Sequence, residues 1–123
     1  MSLTLLTTIC GGVTVLILAL LAWAFWTDPD KGLEQTTHRL EKLPLVMADR
    51  YTAFAVLALV FTIYGDLNVL IIFFAVCAFM GFADGRIYAR AGYPHWKHTL
   101  SGILSTVAFC IAVLARLGQG AAA

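Results

Sequence analysis

The chain is 123 residues long, and 61% of its residues are hydrophobic while only 12% are charged. A soluble domain is typically about 45–50% apolar and about 25% charged, and a small one needs a polar exterior to cover its core. This composition, with a net charge of +1, excludes an ordinary soluble globule, a disordered tail and a nucleic-acid-binding protein, and it predicts an integral membrane protein.

The first predicted element is an apolar helix over residues 3–26, which contain no charged side chain. A helix needs about 20 mainly apolar residues to cross the hydrocarbon core. The segment ends with Trp23 and Trp26, whose rings favour the headgroup level of a bilayer. A cleaved signal peptide is the alternative, but no basic residue precedes the apolar run, and the run is longer than a typical signal-peptide core. We therefore expect a retained span.

A charged segment, residues 27–46, follows and is predicted to form a cytoplasmic loop. Within it, residues 34–42 are predicted to form a short surface helix that stops near Pro44, because the residue before a proline disfavours the α region. The apolar stretch after this loop is too long for one crossing, but Gly65 and Asp66 interrupt it with residues typical of a tight turn. We therefore predict a second span over residues 47–64 and a third over residues 67–88.

A fourth span is predicted over residues 98–117, and the placement of basic residues supports a total of four. Cytoplasmic loops carry an excess of Lys and Arg, and four spans put seven of the eight basic residues on one side of the membrane. Three spans would remove this asymmetry. The seven are Lys31, Arg39, Lys42, Arg50, Arg86, Arg90 and Lys97. The prediction is an all-α, integral-membrane four-helix bundle, a single domain over residues 1–123, with both termini on the outer side.

Small side chains recur along the third and fourth predicted spans. Gly81, Gly85 and Ala89 are spaced four apart on one helix face, and the fourth span offers a comparable seam. That seam consists of Ser101, Ser105, Ala108 and Ala112. Small residues let helices approach closely in lipid, where little hydrophobic force brings them together. We expect packing within one chain, and a homodimer seam is the alternative.

Polar side chains concentrate at the cytoplasmic ends of the second, third and fourth predicted spans. The candidate ligand-binding residues are Arg50, Asp84, Tyr88, His95 and His98. Charges near a bilayer tend to pair or to face a cavity. We therefore predict an interhelical ion pair between Arg50 and Asp84, extended by His98. The alternative is that the basic residues only determine topology, with their side chains reaching the interface.

The histidines of this region admit several chemical interpretations. His95 and His98 could ligate a metal together with Asp84, or one of them could act as a general acid or base. The zincin-type pattern of two histidines around a glutamate is absent, and an interfacial anchor is the more common role, so we predict no metal and no cofactor. The lack of a C-x-x-C pair argues against a disulfide oxidoreductase, and the lack of an ionisable residue at the middle of any span argues against ion transport.

Four features of the second half of the chain form a recognisable arrangement. Arg50 opens the second span, Gly65 and Asp66 form a turn, Asp84 lies late in the third span, and His98 precedes the fourth apolar run. In this arrangement, over about residues 45–115, the chain resembles the small four-helix membrane proteins of the DoxX-like group. The resemblance implies a four-helix fold and a membrane location, and it carries no established reaction.

The expected function is that of a non-enzymatic, multi-pass inner-membrane protein, acting as an accessory subunit or as a binder of lipid-like ligands. Its expected partners are the lipid bilayer and other membrane subunits or a hydrophobic ligand, and no nucleic acid. The alternative is a small membrane enzyme acting on an amphipathic substrate at the cytoplasmic interface. There, Asp84 and His98 would be the catalytic residues that exchange protons, and Arg50 would hold an anionic group or orient Asp84. A cavity around these side chains would favour the enzyme, and a paired, packed arrangement would favour the structural role.

Overall fold

The computed structural model describes residues 3–121 and, within them, the side chains of all residues except 4–9, 11, 12, 14, 15, 120 and 121. This described part of the chain contains helices and no strand, which confirms the predicted all-α class. The helices are α1 (Leu3–Thr27), α2 (Pro29–Gln35), a 3-10 turn (Leu40–Lys42), α3 (Leu43–Tyr64), α4 (Leu67–Arg90) and α5 (Trp96–Ala121).

Three helical segments are long and apolar enough to cross a membrane, namely Leu40–Tyr64, Leu67–Arg90 and Trp96–Gln119. Their large apolar side chains are mostly exposed, as illustrated by Ile63 at 77%. Among the hydrophobic residues whose side chains are described, Ala112 alone is buried. An apolar exterior without a sizeable buried core is typical of helices whose surroundings are lipid. The helices therefore indicate a membrane protein.

The contacts within the chain divide it into two compact units, residues 1–50 and residues 51–123. In the first unit, α1 packs against α2, and the ring of Phe25 lies over Gly32. A Cβ atom at Gly32 would stand 2.7 Å from that ring, so the contact requires a glycine. In the second unit, α4 packs against α5. Helix α3 begins in the first unit and continues in the second.

The segment between α1 and α3 differs from its prediction. Helix α2 begins at Pro29, with Asp28 as its N-cap, because the Asp28 carboxylate accepts a hydrogen bond from the backbone N–H of Lys31 at 3.2 Å. It ends at Gln35, and Thr37 then adopts a positive φ of 57°. The predicted helix over residues 34–42 is therefore wrong, because Asp28 and Pro29 together are a stronger start signal than any residue after Gln35.

The start of α3 also corrects a prediction. A helix was expected to stop near Pro44, yet α3 begins at Leu43 and includes this proline in its first turn. Leu43 adopts the α region with φ −53° and ψ −38°. A proline is tolerated there because the first N–H groups of a helix have no partner within the helix. The predicted second span of 47–64 consequently begins four residues too late and ends correctly at Tyr64.

The turn predicted at Gly65 and Asp66 is confirmed. Gly65 adopts a positive φ of 71°, which glycine reaches without a steric penalty, and it ends α3. Asp66 caps α4, since its Oδ1 atom accepts hydrogen bonds from the N–H groups of Asn68 at 2.7 Å and Val69 at 3.4 Å. The other predicted limits of 3–26, 67–88 and 98–117 agree with α1, α4 and α5 to within four residues at each end.

Helices α4 and α5 meet through glycines. A Cβ atom placed on Gly81 would lie 2.5 Å from the backbone nitrogen of Gly102 and 3.0 Å from the carbonyl oxygen of His98. Gly81, Gly85 and Gly102 are all buried. The predicted role of Gly81 and Gly85 in packing within one chain is thus confirmed, whereas Ala89 is exposed.

Helices α3 and α4 meet through phenylalanine rings. The ring of Phe73 on α4 lies edge-on to Phe61 of α3 at a centroid distance of 5.6 Å. It also lies 6.4 Å from the ring of Phe54, about two turns before Phe61 on α3. Rings at these separations attract one another through their quadrupoles as well as by dispersion. Phe73 therefore provides ring contacts from α4 to α3.

Candidate functional site

Asp84 and His98 come together where α4 packs against α5. Asp84 lies six residues before the last residue of α4, or about 9 Å along the helix axis, and His98 is the third residue of α5. The Nδ1 atom of His98 lies 3.8 Å from the Oδ2 atom of Asp84. This distance corresponds to an ion pair when the imidazole is protonated, and it exceeds that of a direct hydrogen bond. The side chains are partly exposed, at 32% for His98 and 46% for Asp84.

The glycines of α4 explain why these two side chains meet. A Cβ atom on Gly85 would lie 2.9 Å from Oγ1 of Thr99 and 3.8 Å from Cβ of His98. The first turn of α5 therefore rests directly on the α4 backbone beside Asp84. Close approach allows a short aspartate to reach a histidine on the neighbouring helix.

Tyr88 lies against the same histidine, and Tyr93 lies against Tyr88. The Tyr88 ring lies 4.6 Å from the His98 ring with an angle of 35° between their planes. The Tyr93 ring contacts Tyr88 in turn, at 6.3 Å and 62°. We call Asp84, Tyr88, Tyr93 and His98 the Asp84 cluster. Within it, the imidazole of His98 lies against both the Asp84 carboxylate and the Tyr88 ring.

Two predicted site residues remain, His95 and Arg50. The backbone carbonyl of His95 accepts hydrogen bonds from the N–H of Thr99 at 3.1 Å and from its hydroxyl at 3.2 Å, while the His95 side chain is exposed. Arg50 belongs to the first unit and Asp84 to the second, so the Arg50–Asp84 ion pair stays a prediction. The partner that the structure gives Asp84 is His98.

A metal site built from His95, His98 and Asp84 was one interpretation of the sequence. Within the described part of the chain, no three His, Cys, Asp or Glu side chains are grouped closely enough to hold a metal ion. Asp84 and His98 by themselves offer two donor atoms, at a separation that fits an ion pair. An imidazole and a carboxylate are both side chains that can serve as a general acid or base.

A cavity lies at the other end of the second unit, near the Gly65 turn. It has a volume of about 560 Å³, and Asp66, Asn68, Arg116 and Gln119 are among its lining residues. The Nε atom of Arg116 donates a hydrogen bond to Oδ1 of Asn68 at 3.3 Å. The sequence interpretation missed these residues because it followed the concentration of charges at the opposite ends of the helices. A usable signal was present, since antiparallel α4 and α5 necessarily bring the end of α5 near the start of α4.

No protein-family model, curated protein or solved structure matches this chain. The resemblance to the DoxX-like group therefore stays a prediction that rests on Arg50, Asp84, His98 and the Gly65 turn. The functional interpretation depends on the geometry of the chain's own residues. That geometry consists of a self-paired polar cluster at one end of the second unit and an open polar cavity at the other.

Proposed function

We propose that the protein is a non-enzymatic, multi-pass inner-membrane protein that acts as an accessory subunit of a membrane complex or as a binder of lipid-like ligands. The observation that carries this proposal is the self-pairing of the Asp84 cluster. Asp84 faces His98 and His98 stacks on Tyr88, so these groups act on one another across the α4–α5 contact. A polar pair of this kind stabilises the packing of two helices where they leave the bilayer.

In the proposed arrangement, α1 is a fourth span beside the three apolar segments, the helices form a four-helix bundle, and both termini lie on the outer side. Helix α1 contains 25 residues, which is about 37 Å and long enough for a crossing. The positive-inside tendency then puts the segment before α3 and the α4–α5 connection in the cytoplasm. A four-helix fold in a membrane is also what the DoxX-like resemblance implies.

The topology is tested with reporter fusions. We expect alkaline phosphatase fused after the C-terminus, or inserted at Gly65, to be active, because both positions lie outside in the four-span arrangement. A fluorescent protein inserted at Gly92, in the α4–α5 connection, should fold in the cytoplasm. A C-terminal phosphatase that is inactive while a C-terminal fluorescent protein is bright would contradict the proposed topology.

The non-enzymatic role is tested by the effect of His98 on stability. Removal of a side chain that holds two helices together should lower the stability of the protein. Residues kept for catalysis, in contrast, often limit stability. We expect His98→Ala to lower the free energy of unfolding by about 0.5–1 kcal/mol in detergent micelles, the usual value of an exposed ion pair or aromatic contact. The matched control is His95→Ala, which removes an exposed imidazole three residues away. A His98→Ala variant as stable as the control would contradict the proposal.

Partners are tested by purification from native membranes in a mild detergent. We expect the full chain to elute with a stoichiometric protein subunit or with a bound lipid-like molecule. Elution as a monomer free of both would contradict the proposed role.

A small membrane enzyme is the second candidate function. The observation that favours it is the partial exposure of an aspartate–histidine pair close to a helix end, where an amphipathic substrate has access. If this candidate is correct, Asp84→Asn should change the lipid composition of the host membrane to the same extent as deletion of the whole chain. Asp49→Asn, which removes an exposed carboxylate from α3, is the control.

A further inference from the structure

The cavity near the Gly65 turn is formed where α3 ends, α4 begins and α5 ends. Its volume of about 560 Å³ falls within the range of small-molecule sites, about 300–1,000 Å³. Tyr64 contributes an aromatic ring, and Asp66, Asn68, Arg116 and Gln119 contribute polar side chains. The cavity is thus separate from the Asp84 cluster, which lies at the opposite ends of α4 and α5.

The cavity contains one positive and one negative side chain that do not neutralise each other. The ion pairs found in the described part of the chain are Lys31–Asp28 and His98–Asp84, and neither involves Arg116 or Asp66. Asp66 uses its Oδ1 atom to cap α4. Arg116 uses its Nε atom toward Asn68, and the described part of the chain provides no partner for its two terminal nitrogens. A carboxylate and a guanidinium therefore remain available to a ligand in the same cavity.

We propose that this cavity binds the headgroup of phosphatidylethanolamine in the leaflet next to the Gly65 turn. Arg116 contacts the phosphate, and Asp66 accepts a hydrogen bond from the ammonium group. The position favours a lipid because the cavity lies at the ends of three apolar helices, where headgroups lie. Ile63 and Leu117, the sequence neighbours of the lining residues Tyr64 and Arg116, are exposed and offer apolar surface to the acyl chains. The proposal rests on the membrane placement of α3, α4 and α5, and it is independent of the number of spans.

The pairing of charges favours ethanolamine over other common headgroups. A primary ammonium carries three N–H donors for a carboxylate, whereas the trimethylammonium of phosphatidylcholine carries none. Phosphatidylglycerol has a phosphate and no cation, so Asp66 would have no partner and would repel it. The site therefore predicts an order of affinity with phosphatidylethanolamine first.

The test uses the full chain in nanodiscs that contain equal amounts of the three lipids, with bound lipid identified by native mass spectrometry. We expect phosphatidylethanolamine to be enriched about fivefold over phosphatidylcholine, the ratio that corresponds to one partly exposed ion pair. Equal retention of the three lipids by the wild-type protein would overturn the proposal.

Two variants test which side chain contacts which part of the headgroup. Asp66→Asn keeps a side chain that caps α4 well but removes the charge, so we expect the preference for ethanolamine over choline to disappear while the helix content is unchanged. Arg116→Gln should reduce retention of both zwitterionic lipids. The matched controls are Asp30→Asn and Arg90→Gln, which remove the same charges outside the cavity. An Asp66→Asn variant with the wild-type preference would overturn the proposal.

Soluble phosphoethanolamine distinguishes a lipid from a free molecule of the same chemistry. We expect no displacement of the bound lipid when this compound is present at the lipid's concentration, because it lacks the acyl chains that contact the helices. If phosphoethanolamine displaces the lipid and Arg116→Gln abolishes that displacement, the ligand of the cavity is a free amine phosphate. That result would overturn the proposal of a lipid ligand. Failure of the Asp84 cluster to stabilise the protein would contradict the proposed function without affecting this result.

Discussion

The two helix contacts of the second unit are built from opposite kinds of residue. Helices α4 and α5 meet where Gly81 faces Gly102, with no side chain between the two backbones. Helices α3 and α4 meet where Phe73 lies between Phe54 and Phe61. Lipid provides little hydrophobic force for either contact, so each must gain dispersion energy in its own way. The glycine contact gains it through backbone proximity, and the phenylalanine contact gains it through large polarisable rings.

This difference predicts different responses to substitution. At Gly81 the contact cannot accept added atoms, because the atoms that face Gly81 belong to the backbone of α5. The phenylalanine contact cannot lose atoms without weakening, because Phe73 makes both ring contacts with α3. The following substitutions test this comparison, from the largest expected effect to the smallest.

Gly81→Leu should be the most damaging change. Its Cβ atom alone would stand 2.5 Å from the nitrogen of Gly102, so the whole of α5 must move to accommodate the side chain. We expect a loss of about 3 kcal/mol in the free energy of unfolding, measured by unfolding in dodecyl sulfate. Gly118→Leu is the matched control, since its Cβ would meet no atom within 4 Å. Equal stability of the two variants would contradict the close contact.

Phe73→Ala should weaken the contact between α3 and α4 and leave the one between α4 and α5 intact. Two interhelical ring pairs are lost, each with a contribution of about 0.5–1.5 kcal/mol, so the expected loss is about 1–3 kcal/mol. Hydrogen exchange should increase in α3 and stay unchanged in the first turns of α5. Phe79→Ala, at an exposed position of α4, is the control. Increased exchange in α5 would show that the two contacts are not independent.

The loss of stability caused by Gly85→Ala should be relieved by a second substitution at Thr99, whereas the loss caused by a substitution of Gly81 should not. The Cβ atom of Gly85 would lie 2.9 Å from the Thr99 hydroxyl oxygen, while the nearest backbone atom is 3.5 Å away. Thr99→Ala removes that oxygen. We expect a coupling energy of about 1 kcal/mol in a double-mutant cycle. Gly81→Ala combined with the same Thr99→Ala should give purely additive losses, and coupling there would contradict the distinction.

The smallest effect is expected outside both contacts, at the cap of α2. The pKa of the Asp28 carboxyl lies below its ordinary value because the backbone N–H of Lys31 donates a hydrogen bond to its charged form. This stabilisation is present above the ordinary aspartate pKa and is lost as the pH falls through the lowered pKa. Hydrogen exchange of the α2 backbone amides, corrected for the intrinsic exchange rates, should accelerate as the pH falls from the ordinary aspartate pKa through the lowered pKa. Asp28→Asn should cap α2 without this pH dependence.

The sequence contains enough information to predict most of the helical architecture. An apolar run too long for one crossing, interrupted by Gly65 and Asp66, has few solutions other than a helix–turn–helix, and the structure contains one. The prediction failed between α1 and α3, where Pro44 was interpreted as a stop signal although it stands in the first turn of α3. Proline is compatible with either end of a helix, so its position alone does not decide between them.

The candidate site was predictable only in part. The pattern of charges identified Asp84 and His98 as polar residues near helix ends, but it offered Arg50 as the main partner of Asp84 and His98 only as an extension of that pair. The helical spacing of Gly81 and Gly85 predicted a close contact, yet it missed Gly102 on the other side. Which residues face each other across two helices depends on their rotation and relative shift, and these depend on packing rather than on spacing within either helix.

Composition and hydrophobic length by themselves determined that this chain is helical and suited to a bilayer, because the backbone polar groups of an apolar segment in lipid must be satisfied within a helix. Only the tertiary structure decided that His98 pairs with Asp84 and that Arg116 and Asp66 line one cavity. The physical reason is that both juxtapositions join residues distant in the chain, and they follow from the closeness that the glycines allow between α4 and α5.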